Sequence, residues 1–434
     1  MANRYWILGT GTWDATSTTN WSASSGGAGG ASVPTASDNV FFDANSNVLA
    51  TAFTVTMANT PRVCNDFTAS GLDGVMTLAG TSIGLTVSGS LTFQATNFTR
   101  TYTGTTTFNA TTTGKTVTTN GVAFGSTVTF DGVGGGWTLG SALTNSAGST
   151  IVTNGTFNTS SSGNYAVTTA ALTSNNSNTR TINLNASTLT LSSVSNPIVF
   201  TTKTGLTFNA GTSSINCSGT SVAFAGNDLT YYNVAFTSTA QTTPSITGAN
   251  TFNNLSIGGT GALTITGSNT FNDITTTVRP TSVLFTAGTT NTFTNFSLSG
   301  TAGNLVTIGS VTAASHTLSK ASGTVSSDYL SISRSTATGG ASWYAGANST
   351  NGGNNSGWVF TAPPSAAYSI TANAGSYAVA GQTAILTRSR LLSGDFGVYT
   401  VTGAAAVIDL GGSPIVDSTQ LYVVLRSFTE RRRF

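Results

Sequence analysis

The chain has 434 residues, of which only 6% are Asp, Glu, Lys or Arg, and its formal net charge is +2. An average soluble protein has about 25% charged residues, so hydroxyl and amide groups must keep this surface in water. The 38% hydrophobic content, with 23 phenylalanines, excludes disorder, because disordered chains lack the apolar side chains that offset the entropy of ordering. The sparse charge excludes the basic patch of a nucleic-acid-binding protein. The sequence has no run of about eighteen apolar residues, so we expect no membrane insertion.

The N-terminal segment is predicted to close one end of a repeat structure. Trp6, Trp13 and Trp21 precede a glycine-rich stretch at 26–30 and a first candidate strand at 38–43. The end of a repeat array exposes an apolar cross-section and open backbone edges, which need a cap. We therefore expect residues 1–45 to form an N-terminal cap and first turn, with the tryptophans as a lid on the core.

The start of the chain has no basic segment followed by an apolar one, so we expect no secretory signal. The composition, however, is typical of extracellular proteins. A virion protein reconciles the two observations, because it is synthesised in the host cytoplasm and exposed only when the particle is released.

Residues 46–361 alternate between apolar and polar side chains, as in Leu91-Thr92-Phe93 and Val128-Thr129-Phe130. Apolar residues at positions i and i+2 share one face of a strand, and threonine favours the strand backbone. A related phrase begins with Thr-Phe at 251, 270 and 292, and a variant of it contains residues 232–236. It returns at steps of about twenty residues, which is typical of a solenoid. We predict an all-β fold, a right-handed parallel β-helix of around fifteen turns, and a rod about 70–75 Å long.

An amide or carboxyl group directly precedes an apolar residue in each copy of that phrase. The four positions are Asn233, Asn254, Asp273 and Asn295. Such residues can turn a corner of the solenoid, and stacked amides can hydrogen-bond along its axis. We interpret the four positions as a structural ladder at a corner, with a polar binding stripe as the alternative.

Residues 365–434 differ in character and follow a proline-containing linker. The segment 374–381 resembles 394–403, and a last candidate strand spans 420–425. We predict a small C-terminal β module of two related hairpins that serves attachment or oligomerisation. Arg431, Arg432 and Arg433 end the chain, either as a solubilising tail or as a docking site for an acidic partner.

Patterns that suggest catalysis fail on their context. The segment 80–84 matches G-x-S-x-G, but the chain has a single histidine, His316, and no helix for a nucleophile elbow. The sequence Gly114-Lys115-Thr116 lacks the remaining glycine of a phosphate-binding loop. The segment beginning at Asp43 lacks the glycine and glutamate of a calcium loop, and two scattered cysteines with one histidine cannot form a closed zinc site.

Glycoside cleavage would need two carboxylates about 5–10 Å apart across a groove. The body has few candidates, and these are Asp66, Asp73, Asp131, Asp228, Asp273 and Asp328. Asp66 and Asp273 fall at the corner position of the repeat, where a structural role explains them. We expect no catalytic residues, no metal and no cofactor, and we expect the protein not to be an enzyme.

Two further sets of residues leave alternatives open. Trp137, Tyr165, Tyr231 and Tyr344 either stack on sugar rings or are scattered surface and edge aromatics. Cys64 and Cys217 are far apart in sequence, so we expect two isolated buried thiols unless the fold brings them together.

The opening and closing phrases of the body resemble a known group of proteins. The opening runs from Trp6 to Asp43 as W…G-T-G-x-W-D…N-W…P…D-x-V-x-F-D, and the closing phrase combines residues 340–350 with Gly357-Trp358-Val359-Phe360. Both resemble repetitive β-helical structural proteins of tailed phages, which are related in pattern to bacterial adhesins and autotransporter passengers. The C-terminal A-G-S-Y-x-V-x-G pattern is similar to repeats at the ends of phage virion proteins.

This resemblance implies a right-handed parallel β-helix with a structural or host-contact role, and it transfers no catalytic residue. We expect a virion fibre, spike or head-decoration subunit that contacts host-surface glycans and other virion proteins, with a homotrimer favoured. The alternatives are a bacterial surface adhesin or filament subunit and, third, a polysaccharide-degrading tailspike.

Overall fold

The computed structural model describes residues 1–279 and 281–364, together with the backbone of five short strands beyond residue 364. The chain divides into two compact units, Met1–Ala362 and Pro363–Phe434. The first unit is a β-solenoid of about 14 turns built from stacked parallel strands, which confirms the predicted all-β parallel β-helix. The helical segments in the described residues are two single 3₁₀ turns, Thr18–Asn20 and Ala44–Ser46.

Strands form where apolar and hydroxyl side chains alternate. In Leu85–Val87 the two outer residues are buried and Thr86 between them is half-exposed. The register partners Thr106, Val128 and Thr150 lie 22 positions apart, so one turn takes about that many residues. Each turn therefore places the same side of the alternation inside, and the core runs along the solenoid axis.

Three strands make up a typical turn, and the first of them forms a continuous face. In order along the axis, this first face contains Arg62–Cys64, Leu85–Val87, Thr106–Phe108, the start of Val128–Leu139, the start of Thr150–Asn158, Leu172–Thr173, Ile198–Val199, Ala223–Ala225, Ser245–Thr247, Ala262–Ile265, Thr281–Phe285, Val306–Ser310, Leu330–Ile332 and Thr350–Asn351.

The second face begins at the N-terminus. It contains Asn3–Trp6, Asn39–Phe42, Phe67–Ala69, Leu91–Thr92, Lys115–Thr118, the ends of Val128–Leu139 and Thr150–Asn158, then Arg180–Asn183 and Leu206–Asn209.

Three further sheets complete the turns. A four-stranded sheet contains Gly11–Trp13, Phe53–Met57, Met76–Ala79 and Phe98–Arg100. A ten-stranded parallel sheet contains Leu143–Asn145, Val167–Thr169, Thr188–Leu191, Ser214–Cys217, Thr230–Phe236, Thr251–Ile257, Thr270–Thr276, Thr290–Phe293, His316–Ser319 and Ser335–Thr338. A last sheet contains Thr324–Ser326, Ser342–Tyr344 and Trp358–Val359.

At the N-terminal end of the solenoid, the two-residue strand Trp21–Ser22 runs opposite to the parallel strands of the body, and we call it the reversed strand. Asn3–Trp6 pairs in parallel with Asn39–Phe42 on one side. On its other side it pairs antiparallel with Trp21–Ser22, through Tyr5 opposite Ser22 and Trp6 opposite Trp21. The parallel stacking of the body therefore ends at this strand.

Beneath the reversed strand lies an aromatic cluster. Trp6, Trp13 and Trp21 are all fully buried. The Trp21 ring lies 5.2 Å from Trp6 and 5.3 Å from Trp13, both in edge-to-face geometry, and all three pack around Phe42. The tryptophans thus occupy the end of the core, as a lid requires.

Aromatic side chains also stack along the axis in the middle of the solenoid. Tyr231, Phe252, Phe271 and Phe293 follow one another with ring centroids 5.7, 5.4 and 5.2 Å apart. The last three rings are nearly parallel, with interplanar angles of 11°. Each turn thereby repeats the packing of the turn before it.

One pair of strands departs from this regularity. In Val128–Leu139 and Thr150–Asn158, Asp131 pairs with Asn154, and the next pair is Gly136 with Thr156. The four residues 132–135 thus face the single residue Gly155 on the second strand. Three of the four are extra, and the first strand bulges there. We call residues 132–135 the bulge.

The second unit contains five described strands. Ala378–Ala380 pairs in parallel with Tyr399–Thr402, and Ala384–Thr387 pairs in parallel with Ala406–Asp409. Leu421–Val423 is antiparallel to Tyr399–Thr402. The predicted hairpins are therefore wrong for these strands. Two copies of one apolar pattern, 22 residues apart, pair with each other in register as the turns of the solenoid do.

Candidate functional site

The ten-stranded sheet presents an outward surface of hydroxyl and amide groups, which we call the polar face. Its first column, in register from turn to turn, consists of Thr144, Thr168, Thr190, Asn216, Ala235, Ser256 and Thr275. Its second column consists of Thr188, Ser214, Asn233, Asn254 and Asp273. All of these side chains are half-exposed or exposed. Parallel strands repeat at about 4.8 Å, so the face offers hydrogen-bonding groups at that spacing with one apolar and one charged member.

The four residues predicted as a ladder lie together at the edge of this face. Asn233 pairs with Asn254, and Asn254 pairs with Asp273. The Asn295 backbone N–H donates to the carbonyl of Asn272, at 2.7 Å, and so continues the register.

Side-chain hydrogen bonds join only part of this column. The Asn254 amide donates to Asn233 Oδ1 at 2.9 Å, and Asn233 donates to Ser214 Oγ at 3.4 Å. The Asp273 carboxylate accepts instead from the backbone N–H of Ile274 at 2.8 Å. A carboxylate has no N–H to donate. The side-chain hydrogen bonds therefore run from Asn254 to Asn233 to Ser214 and do not extend to Asp273.

A second asparagine column, missed in the sequence, lies inside the solenoid. Asn250, Asn269 and Asn291 are at most 1% exposed. Asn269 Oδ1 accepts from the Asn250 backbone N–H at 2.9 Å, and Asn291 Oδ1 accepts from that of Asn269 at 3.1 Å. The phrase Asn-Thr-Phe at 250–252, 269–271 and 291–293 was the available signal. These asparagines serve the backbone and are not available to a ligand.

The aromatics proposed for sugar stacking are mostly unsuited to it. Trp137 and Tyr231 are each 1% exposed, so the stacking interpretation is wrong for both. Trp137 packs 5.4 Å from the ring of Phe130, and the Tyr231 hydroxyl donates to the Gly226 carbonyl at 2.9 Å. Strand alternation explains this, because Trp137 shares its side with buried Leu139.

Tyr165 and Tyr344, the other two aromatics of that set, are half-exposed. Tyr165 packs against the hydrophobic core, whereas Tyr344 ends the strand Ser342–Tyr344. The two residues belong to different turns, so their rings do not form the platform that stacking on a sugar chain requires.

Several aspartates proposed for catalysis hold adjacent turns together. Asp66 accepts from the Ser90 backbone N–H at 2.7 Å, and Asp131 accepts from the Asn154 side chain at 2.7 Å. Asp328 accepts from the Asn348 backbone at 3.0 Å and from its side chain at 2.7 Å. These carboxylates take the backbone or side-chain donors of the next turn.

Asp228 shows what such contacts do to protonation. The hydrogen bond from the Ala249 backbone N–H, at 2.6 Å, and the ion pair with Lys203, at 3.0 Å, lower the pKa of the Asp228 carboxyl. The general acid of a glycosidase needs the opposite, a raised pKa that keeps its proton at neutral pH.

Ser82 and His316 are in separate environments. Ser82 is exposed and adopts φ of 56° in a turn. His316 is fully buried, 4.9 Å from the Phe285 ring, with Nδ1 2.8 Å from Ser310 Oγ. Burial lowers the pKa of His316 to about 4. The histidine is therefore a neutral core residue in this structure.

The remaining predicted residues have simple placements. Lys115 begins a strand, as expected for a turn at a strand edge, and Asp43 caps the 3₁₀ turn that follows it. Cys64 and Cys217 are free and buried, as predicted. Arg431, Arg432 and Arg433 lie outside the described residues. Among the described residues, no cluster of three His, Cys, Asp or Glu side chains could hold a metal ion.

No family model matches the chain, and neither a curated protein nor a solved structure shows significant similarity to it. The described part of the chain has no helix with the length and apolar character needed to cross a membrane.

Proposed function

We propose that the chain is a structural protein of a tailed-phage virion, of the tail fibre, tail spike, head fibre or decoration type. In this role it displays the solenoid outside the particle, where the polar face meets glycans on the host surface. The protein is synthesised in the host cytoplasm and reaches its place by assembly with other virion proteins.

The observation that carries the proposal is the polar face itself. Two columns of hydroxyl and amide side chains run in register over successive turns, with Asp273 as the one charged member. A parallel solenoid is stiff because each turn is hydrogen-bonded to both neighbours. Such a surface presents neutral donors and acceptors at fixed spacing, which suits a ligand that is itself a chain of hydroxyl groups.

The opening and closing phrases of the body support the virion assignment, since both resemble β-helical proteins of tailed phages. Single contacts between hydroxyl groups are weak, because each hydrogen bond replaces one with water and contributes only about 0.5–1.5 kcal/mol. A homotrimer would present three polar faces at once, and the effective concentration of linked sites would raise the avidity.

Mass spectrometry of purified particles from the source culture tests the assignment. We expect this chain at a fixed ratio to the capsid protein, and the copy number would distinguish a tail spike from a head decoration. Its absence from particles, together with recovery from cell envelopes, would refute the virion assignment and favour the bacterial adhesin or filament subunit.

Digestion assays on purified host polysaccharide test the third alternative. Because the carboxylates Asp66, Asp131, Asp228 and Asp328 are engaged in hydrogen bonds between turns, we expect no release of reducing ends. Steady cleavage would instead identify a polysaccharide-degrading tailspike.

Light scattering of the purified full chain measures the oligomeric state, with three copies expected.

A further inference from the structure

The bulge forms one wall of a groove on the surface of the solenoid. Its cavity has a volume of about 380 Å³, within the range of about 300–1,000 Å³ that small-ligand sites occupy. The side chains that line it are Thr113, Asn154, Thr156, Asn178, Thr179 and Thr181. We call this cavity the bulge groove. It lies where the first and second faces meet, and it is separate from the polar face.

The wall of the bulge groove is fixed by close backbone packing. Gly155 adopts φ of 75°, and a Cβ there would lie 2.5 Å from the Gly135 carbonyl oxygen and 2.6 Å from that of Gly132. A Cβ on Gly132 or Gly135 would overlap the Ala110 carbonyl oxygen and approach the Trp137 ring within 3 Å. The bulge therefore rests directly on its neighbours. A wall that is already in place lowers the ordering cost of binding.

A buried arginine supports the opposite wall. Arg180 is 1% exposed, and its Nε donates to Ser174 Oγ at 2.6 Å. Its Nη1 donates to the carbonyls of Asn178 and Thr204 at 2.8 and 2.7 Å. Its Nη2 donates to the carbonyls of Ser174 and Thr202 at 3.1 and 2.7 Å. Arg180 thus ties two successive loops, 174–179 and 200–205, together and has no donor left for a ligand.

The other charged group at the bulge groove is also engaged. Asp131 accepts from Asn154 Nδ2 at 2.7 Å, which leaves Asn154 Oδ1 and the second N–H of that amide free. The groups that remain available are amide oxygens, threonine hydroxyls and the glycine backbone of the bulge, all of them neutral. The tip of the bulge adds one apolar contact, Val133, which is 74% exposed.

We propose that the bulge groove binds a neutral oligosaccharide of about two sugar units. Its free groups are donors and acceptors without charge, which match sugar hydroxyls and offer nothing to pair with a phosphate or carboxylate. This inference rests on the proposed glycan-contact function and names a particular site for it. Binding there is independent of ionic strength, because screening acts on charged groups.

The test compares two double variants of the full chain. Thr156 and Thr181 are register partners at the bulge groove, and Thr54 and Thr77 are register partners in the four-stranded sheet, outside both the bulge groove and the polar face. All four side chains are half-exposed in strands. Replacing each pair by valine removes two hydroxyls, keeps the side-chain shape and suits the strand backbone. Thermal unfolding followed by circular dichroism checks that both double variants keep the fold.

The probe is an array of neutral hexose and N-acetylhexosamine oligomers beside their sulfated and sialylated counterparts. We expect neutral oligomers to bind wild type equally in 50 and 500 mM NaCl. The change Thr156→Val with Thr181→Val should weaken the best of them at least ten-fold, and Thr54→Val with Thr77→Val should change it less than two-fold.

Three outcomes would overturn the inference, and they bear differently on the proposed function. Equal binding by both double variants and wild type would place the glycan contact elsewhere on the chain and leave the glycan-contact function standing. Binding restricted to the sulfated or sialylated oligomers would refute the neutral ligand. Binding of no oligomer would refute the bulge groove and the glycan-contact function together, while particle mass spectrometry would still decide the virion assignment.

Discussion

Two regions of the solenoid solve the same folding problem differently. In the turns from Thr230 to Leu298, one phrase repeats with little change, and rings, asparagines and hydroxyls stack on their copies. In the turns from Val128 to Asn183, the strands carry the bulge, and Arg180 fastens the loops. The cores of both regions are continuous and aromatic. The difference lies at the corners, so the corners are where this fold can acquire a site without losing its stability.

The largest effect is expected from the feature that both regions share. Phe271 and Phe157 are each fully buried, and their rings lie 5.4 Å from Phe252 and 4.8 Å from Phe130. Changing either to alanine should cost about 3–5 kcal/mol, from lost burial and the cavity left behind. Repeat proteins need not unfold in one step, so hydrogen exchange in the affected turns is the measurement. A much smaller cost at Phe157 would mean that the irregular region is also loosely packed inside.

Acid should destabilise the turns around His316 more than it destabilises the two regions compared above. The pKa of the buried imidazole is about 4, below the 6.5 of an exposed histidine. The unfolded state therefore binds the proton first, and the stabilisation is complete above pH 6.5 and lost as the pH falls to 4. The loss is about 3 kcal/mol. Hydrogen exchange at pH 7.5 and 4.5 should show the change in the strands Thr281–Phe285 and His316–Ser319, with little at Val128–Leu139.

The variant His316→Gln serves as the control, since it should abolish that pH dependence. The carboxylates of Asp228 and Asp328 have pKa values lowered from 3.8 and titrate below the window. An unchanged pH dependence in His316→Gln would assign the effect to another group.

A pair of glycines isolates the close packing of the bulge. Gly155 and Gly288 both adopt φ of 75°, but a Cβ on Gly288 would meet no atom within 4 Å. The change Gly288→Ala should cost about 1 kcal/mol, the price of the left-handed backbone for alanine. Gly155→Ala adds the contact with two carbonyl oxygens and should cost about 1–3 kcal/mol more. Denaturant midpoints of the two variants, measured side by side, check the difference, and equal values would show that the bulge yields easily.

The smallest losses of stability are expected from the two asparagine columns, with the buried column costing more than the exposed one. Asn269→Ala should cost about 1–3 kcal/mol, because it leaves the Asn250 backbone N–H unpaired in the core. Asn254→Ala should cost about 0.5–1 kcal/mol, since water can replace its exposed hydrogen bond to Asn233. Chemical denaturation compares the two variants. A larger cost for Asn254 would make the outer column the structural one.

The sequence predicted the fold best in the regular turns, where one phrase repeats with little change. Alternation of apolar residues with threonine sets which side of each strand is buried, and the spacing of the repeated phrase sets the turn. The expected fifteen turns are close to the observed 14 or so. The stacking interpretation of Trp137 and Tyr231 missed the same alternation, which buries both side chains, and Tyr231 takes the place of Phe252 in the preceding turn.

The bulge groove could not be predicted in the same way. Its glycines at 132 and 134–136 indicate an unusual backbone, but the extra residues acquire meaning only against the shorter partner strand. Arg180 also gave no local signal, since its five acceptors come from residues 174, 178, 202 and 204. Such contacts depend on which loops the stacking brings together.

The reversed strand Trp21–Ser22 limits how copies of this protein can join. An open solenoid end offers a row of unpaired backbone groups, which can template an incoming strand from another molecule. Here that edge is already occupied, by a two-residue strand running the other way, and the tryptophans fill the cross-section below it. Backbone pairing along the Asn3–Trp6 edge is therefore closed to a strand from a second molecule.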